Sequence, residues 1–574
     1  MANPLQKRGQ KLAKKLSRFS LKASRESKEH LKENLVDRLP HVRSVRLLVL
    51  EWLLLTTAII MLAITQALWY AESFSTSAFV EGGTYTEATL GKVSSLNPIF
   101  ATTNSEKTLS KLLFATLVTV DYSGHTGPGL AASTTSDPTG KIWTVKLRPD
   151  LKWSDGEPLT NADVLFTINL IKDPTLKSAY ASSFSKVKVS EKDDTIIFTL
   201  PAPYINFPSA LNLPILPQHI LQDVDPEILL EHNFSSSPVS SGAFTHNATQ
   251  TIGSDGETVV YLYANPNYYR GRPLLDSFAI HAFMDTNDII SALKNGSVTA
   301  TAELSHLDAP KVTSSTVYEK QTTINNGVFL FFNTTRPALS QAVLRQAIRN
   351  GIDSSDLRAL AGGPPPLDYP ILPYQANFNP PKLSELDPDN ARTVIAEHRP
   401  EQALRLATIS TSPFPAIAER LADRLRNLGL DIAVEIYEPN RDFLINVISY
   451  RNYDMLLYEI ELGADPDILT YYHSSQANQA GLNLSNYHNP LADDAILAAR
   501  STMDPRLRAA KYEAFVKHWL RDVPSLSIYQ VNLAYFFNKN VRSFSEDNRL
   551  VYATDRFADV EHWAVYKSRL NRTP

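Results

Sequence analysis

Between Trp143 and Leu147 apolar and polar side chains alternate, with Trp143, Val145 and Leu147 set against Thr144 and Lys146. This is the period of a strand with one buried face. Pro149-Asp150 ends it, since proline has no N–H to give a ladder. Ser154-Asp155-Gly156 supplies a turn, from which Trp153 plugs back into the core. Thr160 stands three residues before Asp163, a capping-box start, and Val164, Leu165, Ile168 and Ile171 then recur at helical spacing. The same two periods recur further on. Ser105–Leu117 reads as a helix, Val118–Asp121, Thr195–Leu200 and Val259–Ala264 as strands.

The second half has a different texture. Val328–Asn333 is an apolar strand and Ala338–Asp353 an amphipathic helix. Residues 361–381 are rich in proline and form a loop. Leu404, Leu406 and Thr408 alternate; Ile417, Leu421, Leu425 and Leu428 share a helix face; Gly429 stops that helix as its C′ residue; Leu430, Ile432, Val434 and Ile436 alternate again. Strand, helix and strand in that order predict parallel pairing. Tyr453–Tyr458 is a buried strand, and one long helix is expected over about 492–521.

Leu47–Tyr70 fits neither period. Glu51 is its only charge, and the 19 residues from Trp52 to Tyr70 carry none, about the length that crosses a hydrocarbon core. Trp52, Trp69 and Tyr70 stand at its ends, where interfacial aromatics belong. Charge changes sign across it. Residues 1–46 hold 13 Lys or Arg against 4 Asp or Glu, while the rest holds 43 against 56. That asymmetry predicts a cytoplasmic N-terminus and an extracellular body. A signal peptide's apolar region spans only about 7–15 residues, so an uncleaved anchor is expected, with residues 71–83 as a linker. The basic arm is assigned to the membrane side or a partner rather than to nucleic acid.

The chain has 574 residues, enough for two or three cores, and 43% hydrophobic content. It has no Cys, which excludes disulfides, thiolate metal sites, Cys nucleophiles and a lipid-modified N-terminal Cys. Phosphate-cradling glycine motifs, His-Glu-x-x-His and G-x-S-x-G are absent from the sequence. His473 and His488 lie on expected loops, a poor ligand set for a metal, and the adjacent acids Asp193-Asp194 and Asp493-Asp494 read as solvated. No catalysis, cofactor or metal is expected.

The wording of several stretches is more specific than their periods. LRPDLKWSDGEPLTNAD (147–163), Leu96-Asn97-Pro98 before the first helix, LPILPQHIL (213–221), PVSSGAF (238–244), NPNYYRGRPLLD (265–276) and the helix ending in Ile352-Asp353 occur in order. Together they resemble the family 5 extracellular solute-binding proteins, the dipeptide, oligopeptide and nickel receptors of ABC importers. PVSSGAF departs from the family's P-V-G-T-G-P-(F/Y) by two serines.

The resemblance implies a mixed α/β, two-lobe periplasmic-binding-protein-like fold with an extra small domain, preceded here by the one membrane helix. Lobe 1 would take residues 84–325, with the small domain at about 127–237. Lobe 2 would take 326–530, and 531–574 would return to lobe 1, with crossings near 324–330 and 530–536. A monomer is expected, binding a peptide without chemistry and handing it to permease subunits. A sensor or envelope module, or a receptor for a nickel chelate or oligosaccharide, is the alternative on the same fold. The implied ligand-binding set is Thr102, Thr103, Asn104, Tyr458, Glu459, Glu461 and Asp465. In YEIELGADPD (458–467), Asp465-Pro466 matches the family's Asp-Pro. The family's amine-binding Asp then falls on Leu462 and its Trp on Glu459. Glu461 is the nearest acid, and a bulge or turn would be needed to aim it inward.

Overall fold

The computed structural model describes residues 46–571, apart from 74, 177, 179, 253–256, 315, 377–378, 539–540 and 545–548. The basic arm therefore lies outside the described residues, except for Arg46. Two compact units are present.

The first unit comprises residues 1–78 and 567–574. Its helix α1 (Arg46–Ser73) is long and apolar enough to cross a membrane over Leu47–Ala67, with none of that stretch buried. Ser75–Val80 is a strand paired with Tyr566–Asn571. The residues expected as a linker thus carry a helix end and a strand.

The second unit, residues 79–566, is built on one ten-stranded sheet. In chain order its elements are β1 (Thr84–Leu90), α2 (Asn104–Leu113), β2 (Ala131–Ser136), β3 (Ile142–Leu147), α3 (Asn161–Leu170), β4 (Lys188–Lys192), β5 (Thr195–Thr199), β6 (Phe244–Ile252), β7 (Glu257–Ala264), β8 (Ser277–Phe283), α4 (Thr286–Asn295), β9 (Ala300–Thr301) and β10 (Val317–Phe332). There follow α5 (Ala342–Gly351), β11 (Leu404–Ile409), α6 (Phe414–Asn427), β12 (Ile432–Tyr437), β13 (Met455–Glu461), α7 (Pro490–Ser501), α8 (Pro505–Asp522) and β14 (Ser525–Asn538). The sheet order is β12-β11-β13-β10-β14-β9-β1-β8-β7-β6.

The two long central strands join its halves. β10 and β14 run antiparallel from Val317 opposite Asn538 to Phe331 opposite Ser525, and their ladder breaks between Thr323 and Gly327. On one side of the break β9, β1, β8, β7 and β6 continue the sheet; on the other, β13, β11 and β12 do. The β11–α6–β12 unit is parallel, as its alternation predicts, and Gly429 has φ +102° beyond the helix end. A separate antiparallel sheet, β2-β3-β5-β4, carries the Trp143 strand. Thr160 and Asp163 form the capping box at the start of α3, and Trp153 is fully buried.

Three expectations are corrected. The helix expected over Ala338–Asp353 is a single turn, Pro337–Ser340, followed after an extended Gln341 by α5. The helix expected over 492–521 is two helices, because Asp504 caps a new helix whose first residue is Pro505, and a proline cannot donate inside a continuous helix. The strand expected from Val328 begins at Val317. PVSSGAF keeps its close approach through Gly242, where a Cβ would lie 2.4 Å from the Leu112 carbonyl oxygen. Ser240 and Ser154 exchange hydrogen bonds beside it, Ser154 N–H to the Ser240 carbonyl and Ser240 N–H to the Ser154 side-chain Oγ.

Candidate functional site

The site is built from the end of β13. Met455 and Leu457 enter one core with Val328, Leu330 and Phe332. Leu456, Ile460 and Leu462 enter another with Phe329 and Phe331. Strand alternation therefore sends Glu459 and Glu461 out on the Met455–Leu457 face, beyond the point where that core ends. The register is regular, Glu461 opposite Asn326 and Glu459 opposite Val328. No bulge is needed to expose Glu461, and Leu462 is committed to the core with 7% of its surface exposed. Tyr458 lies on the opposite face from the acids, 6.0 Å ring to ring from Phe443.

Glu459 is half-buried and Glu461 exposed. Asn326 Nδ2 donates to Glu459 Oε1 at 2.7 Å. Burial raises the Glu459 carboxyl above the ordinary range; the Asn326 bond opposes this and the charge of Glu461 adds to it. Three tyrosines surround the pair. Tyr529 is 4% exposed, and its hydroxyl is held in the phenol form by burial and by Glu459. Tyr471 Oη donates to the Glu461 carbonyl at 2.9 Å. The Tyr552 hydroxyl is pushed up by burial and then by Glu461.

Behind the acids, the break in β10 is held by Asn325, which is fully buried. Its Nδ2 donates to Tyr122 O and Gly463 O, each at 2.8 Å, and its Oδ1 accepts from Tyr374 Oη at 2.6 Å. Its N–H reaches Val551 O and its carbonyl receives Leu462 N–H. Gln375 Nε2 also donates to Gly463 O, and Gln530 Nε2 bridges Ile324 O and Tyr374 Oη. A buried network of this kind is stable only when every member is satisfied, and here it ties five separate segments to the strand break. Gly124 completes the approach, since a Cβ there would lie 2.6 Å from Ala464 O. The Arg549 guanidinium lies 5.2 Å from the Tyr374 ring centre. Periodicity missed this set; its sole trace is Asn325-Asn326-Gly327 immediately before the apolar run Val328–Phe332.

The remaining candidates fall elsewhere. Asp465 turns into the protein, with Oδ1 2.5 Å from Arg508 Nη2 on α8 and Oδ2 buried without a hydrogen bond among the described residues. Burial outweighs the arginine because only one oxygen meets it, and the carboxyl is pushed up to about 6. Asp467 pairs with Arg500, whose guanidinium lies over the Tyr204 ring at 4.4 Å. Thr102 and Thr103 are occupied in capping α2. Thr102 Oγ1 donates to Glu106, and Thr103 Oγ1 accepts the Glu106 N–H. Asn104 Nδ2 donates to Glu303 Oε2 at 2.8 Å, and burial raises the Glu303 carboxyl. The structure thus brings Glu459 and Glu461 together and gives Tyr458, Asp465 and Thr102–Asn104 to other surfaces.

The sequence profile of the bacterial extracellular solute-binding proteins, family 5, matches residues 125–481. The chain is 24% identical over 526 residues to the oligopeptide-binding protein AppA of Bacillus subtilis, covering 85% of this chain and 92% of that protein. The fold is similar to the ABC transporter substrate-binding protein CtaP of Listeria monocytogenes, with TM-score 0.75, 24% identity and 84% and 99% of the two chains covered. It is also similar to the crystal structure of Bacillus subtilis AppA in complex with a nonapeptide, with TM-score 0.70, 22% identity and 85% and 100% covered. These share the mixed α/β, two-lobe periplasmic-binding-protein-like architecture. The chain belongs to the bacterial extracellular solute-binding proteins, family 5.

Proposed function

We propose that the protein is a membrane-anchored receptor that holds a peptide by its free amino terminus and delivers it to the permease of an ABC importer. The supporting observation is the pair Glu459 and Glu461. Both leave the core on one strand face, and neither meets a Lys or Arg among the described residues. A cationic α-amine entering a cleft must meet a counter-charge or remain costly, and Glu461, the more exposed of the two, is its partner. The similar protein of Bacillus subtilis is named for oligopeptides, which favours the same ligand class.

In this reading residues 84–325 form one lobe, with a small domain at about 127–237; residues 326–530 form the other, and 531–574 return to the first. The ladder break in β10 is the natural hinge. Helix α1 tethers the body with its basic arm inside the cell, the role a lipid-modified cysteine would otherwise serve. The receptor acts as a monomer and without catalysis.

Calorimetry on the full-length protein in detergent tests this directly. Glu461→Gln should weaken binding of free-amine peptides by about 2–5 kcal/mol while N-acetylated peptides barely change. Equal wild-type affinity for free and acetylated peptides would contradict recognition of the amine.

A further inference from the structure

We propose that Glu459 reads a second positive charge, so that the site prefers peptides whose first residue is lysine or arginine. The inference rests on the peptide reading above and adds a side-chain preference to it.

One α-amine neutralises one carboxylate, and this strand end presents two. Glu459 and Glu461 are two residues apart on one face, about 6–7 Å along the strand. The four-carbon stem of a lysine separates its ammonium from its own α-amine by a comparable reach. With Glu461 on the amine, the side chain of the same residue meets Glu459.

Glu459 is only partly satisfied as it stands. Oε1 takes the Asn326 amide, and Oε2 takes no hydrogen bond among the described residues. A second, independent observation is Tyr529. Its side chain is 96% buried, its hydroxyl makes no hydrogen bond among the described residues, and it stands in the same cross-strand row as Glu459 with Val328 between them. Its hydroxyl can donate to Glu459 or accept from a cation that bridges the two. Two like charges side by side on a half-buried surface also repel, and a dicationic ligand relieves what a monocation leaves. Asp465 and Asp467, the other acids of this loop, are already paired with Arg508 and Arg500, so Glu459 is the acid available to the side chain.

The test is calorimetry of the full-length protein with tetrapeptides X-Ala-Ala-Ala, where X is lysine, arginine, norleucine or glutamate. Norleucine keeps the lysine stem and removes its charge. Lysine and arginine should bind at least about tenfold more tightly than norleucine, with glutamate weakest. In a Glu459→Gln protein that melts cooperatively, the lysine-to-norleucine ratio should fall close to one. Equal wild-type affinity for lysine and norleucine overturns the inference while leaving the peptide reading standing, and needs no variant to fold. A lysine preference that survives Glu459→Gln overturns the assignment to Glu459. Failure of every peptide in the series to bind overturns the peptide reading itself, and this inference with it.

Discussion

Asp465 shows how a residue can be correctly noticed and wrongly placed. Asp465-Pro466 anchored the comparison of YEIELGADPD with the family, yet its carboxylate faces Arg508 and the interior. The sequence carries no sign of that, because Arg508 lies on a helix far along the chain. Glu459, Glu461 and Leu462 were legible in a different way. Their alternation is written in the strand, and the expected bulge is unnecessary because Met455 and Leu457 already fix which face the acids take. Asn325 was illegible: its five partners come from segments that meet only in the folded chain. Asp465 gives a pH signature. A carboxyl whose pKa is pushed up to about 6 when folded, and is about 4 when unfolded, holds its proton more tightly in the folded state. Folding stability must then fall as pH rises from about 4 to about 6 and level off above that. Melting temperatures of the wild-type protein and Asp465→Asn, measured from pH 4 to 8, should diverge in that window, the variant lacking this component of the slope. Parallel curves would mean that the carboxyl holds its proton equally in the folded and unfolded states, and a wild-type gain on raising the pH from 4 would mean that Arg508 keeps it ionised.

At the scale of elements, periodicity worked wherever one face is buried against one core. The β11–α6–β12 unit, α3 with its capping box, and β3 all stand where the pattern sets them. It failed on β10, whose first part, Val317–Asn326, is polar enough to read as a loop. That strand passes from one half of the sheet to the other, so its faces change surroundings along its length and no single alternation survives. It failed again at Asp504-Pro505, where helical periods on both sides hid a break that the proline itself announces. The apolar run that became α1 was read correctly as a helix, and none of its Leu47–Ala67 stretch is buried. Beginning the chain at Ser75 should therefore leave a soluble protein that melts in one cooperative transition. It should no longer sediment with membranes. Aggregation, or loss of the cooperative melt, would mean that α1 contributes to the core.

The second unit is built on a sheet of two halves joined by two long strands, with a ladder break at the junction and, beside it, a pair of carboxylates that meet no Lys or Arg among the described residues. Family membership, the two-lobe fold and the order of motifs were all readable from the sequence. The ligand was not, because a peptide is recognised largely through groups that every peptide shares. What the protein carries when it is extracted from the cell is thus the most direct question. Native mass spectrometry of the full-length protein, extracted in mild detergent and never denatured, answers it. The account predicts a distribution of added masses that are released on activation and fragment into amino-acid ladders with free amino termini, rich in Lys or Arg at the first position. A single non-peptide adduct, such as a metal chelate or a sugar, would contradict it. So would an empty protein that takes up nothing from a mixed peptide pool.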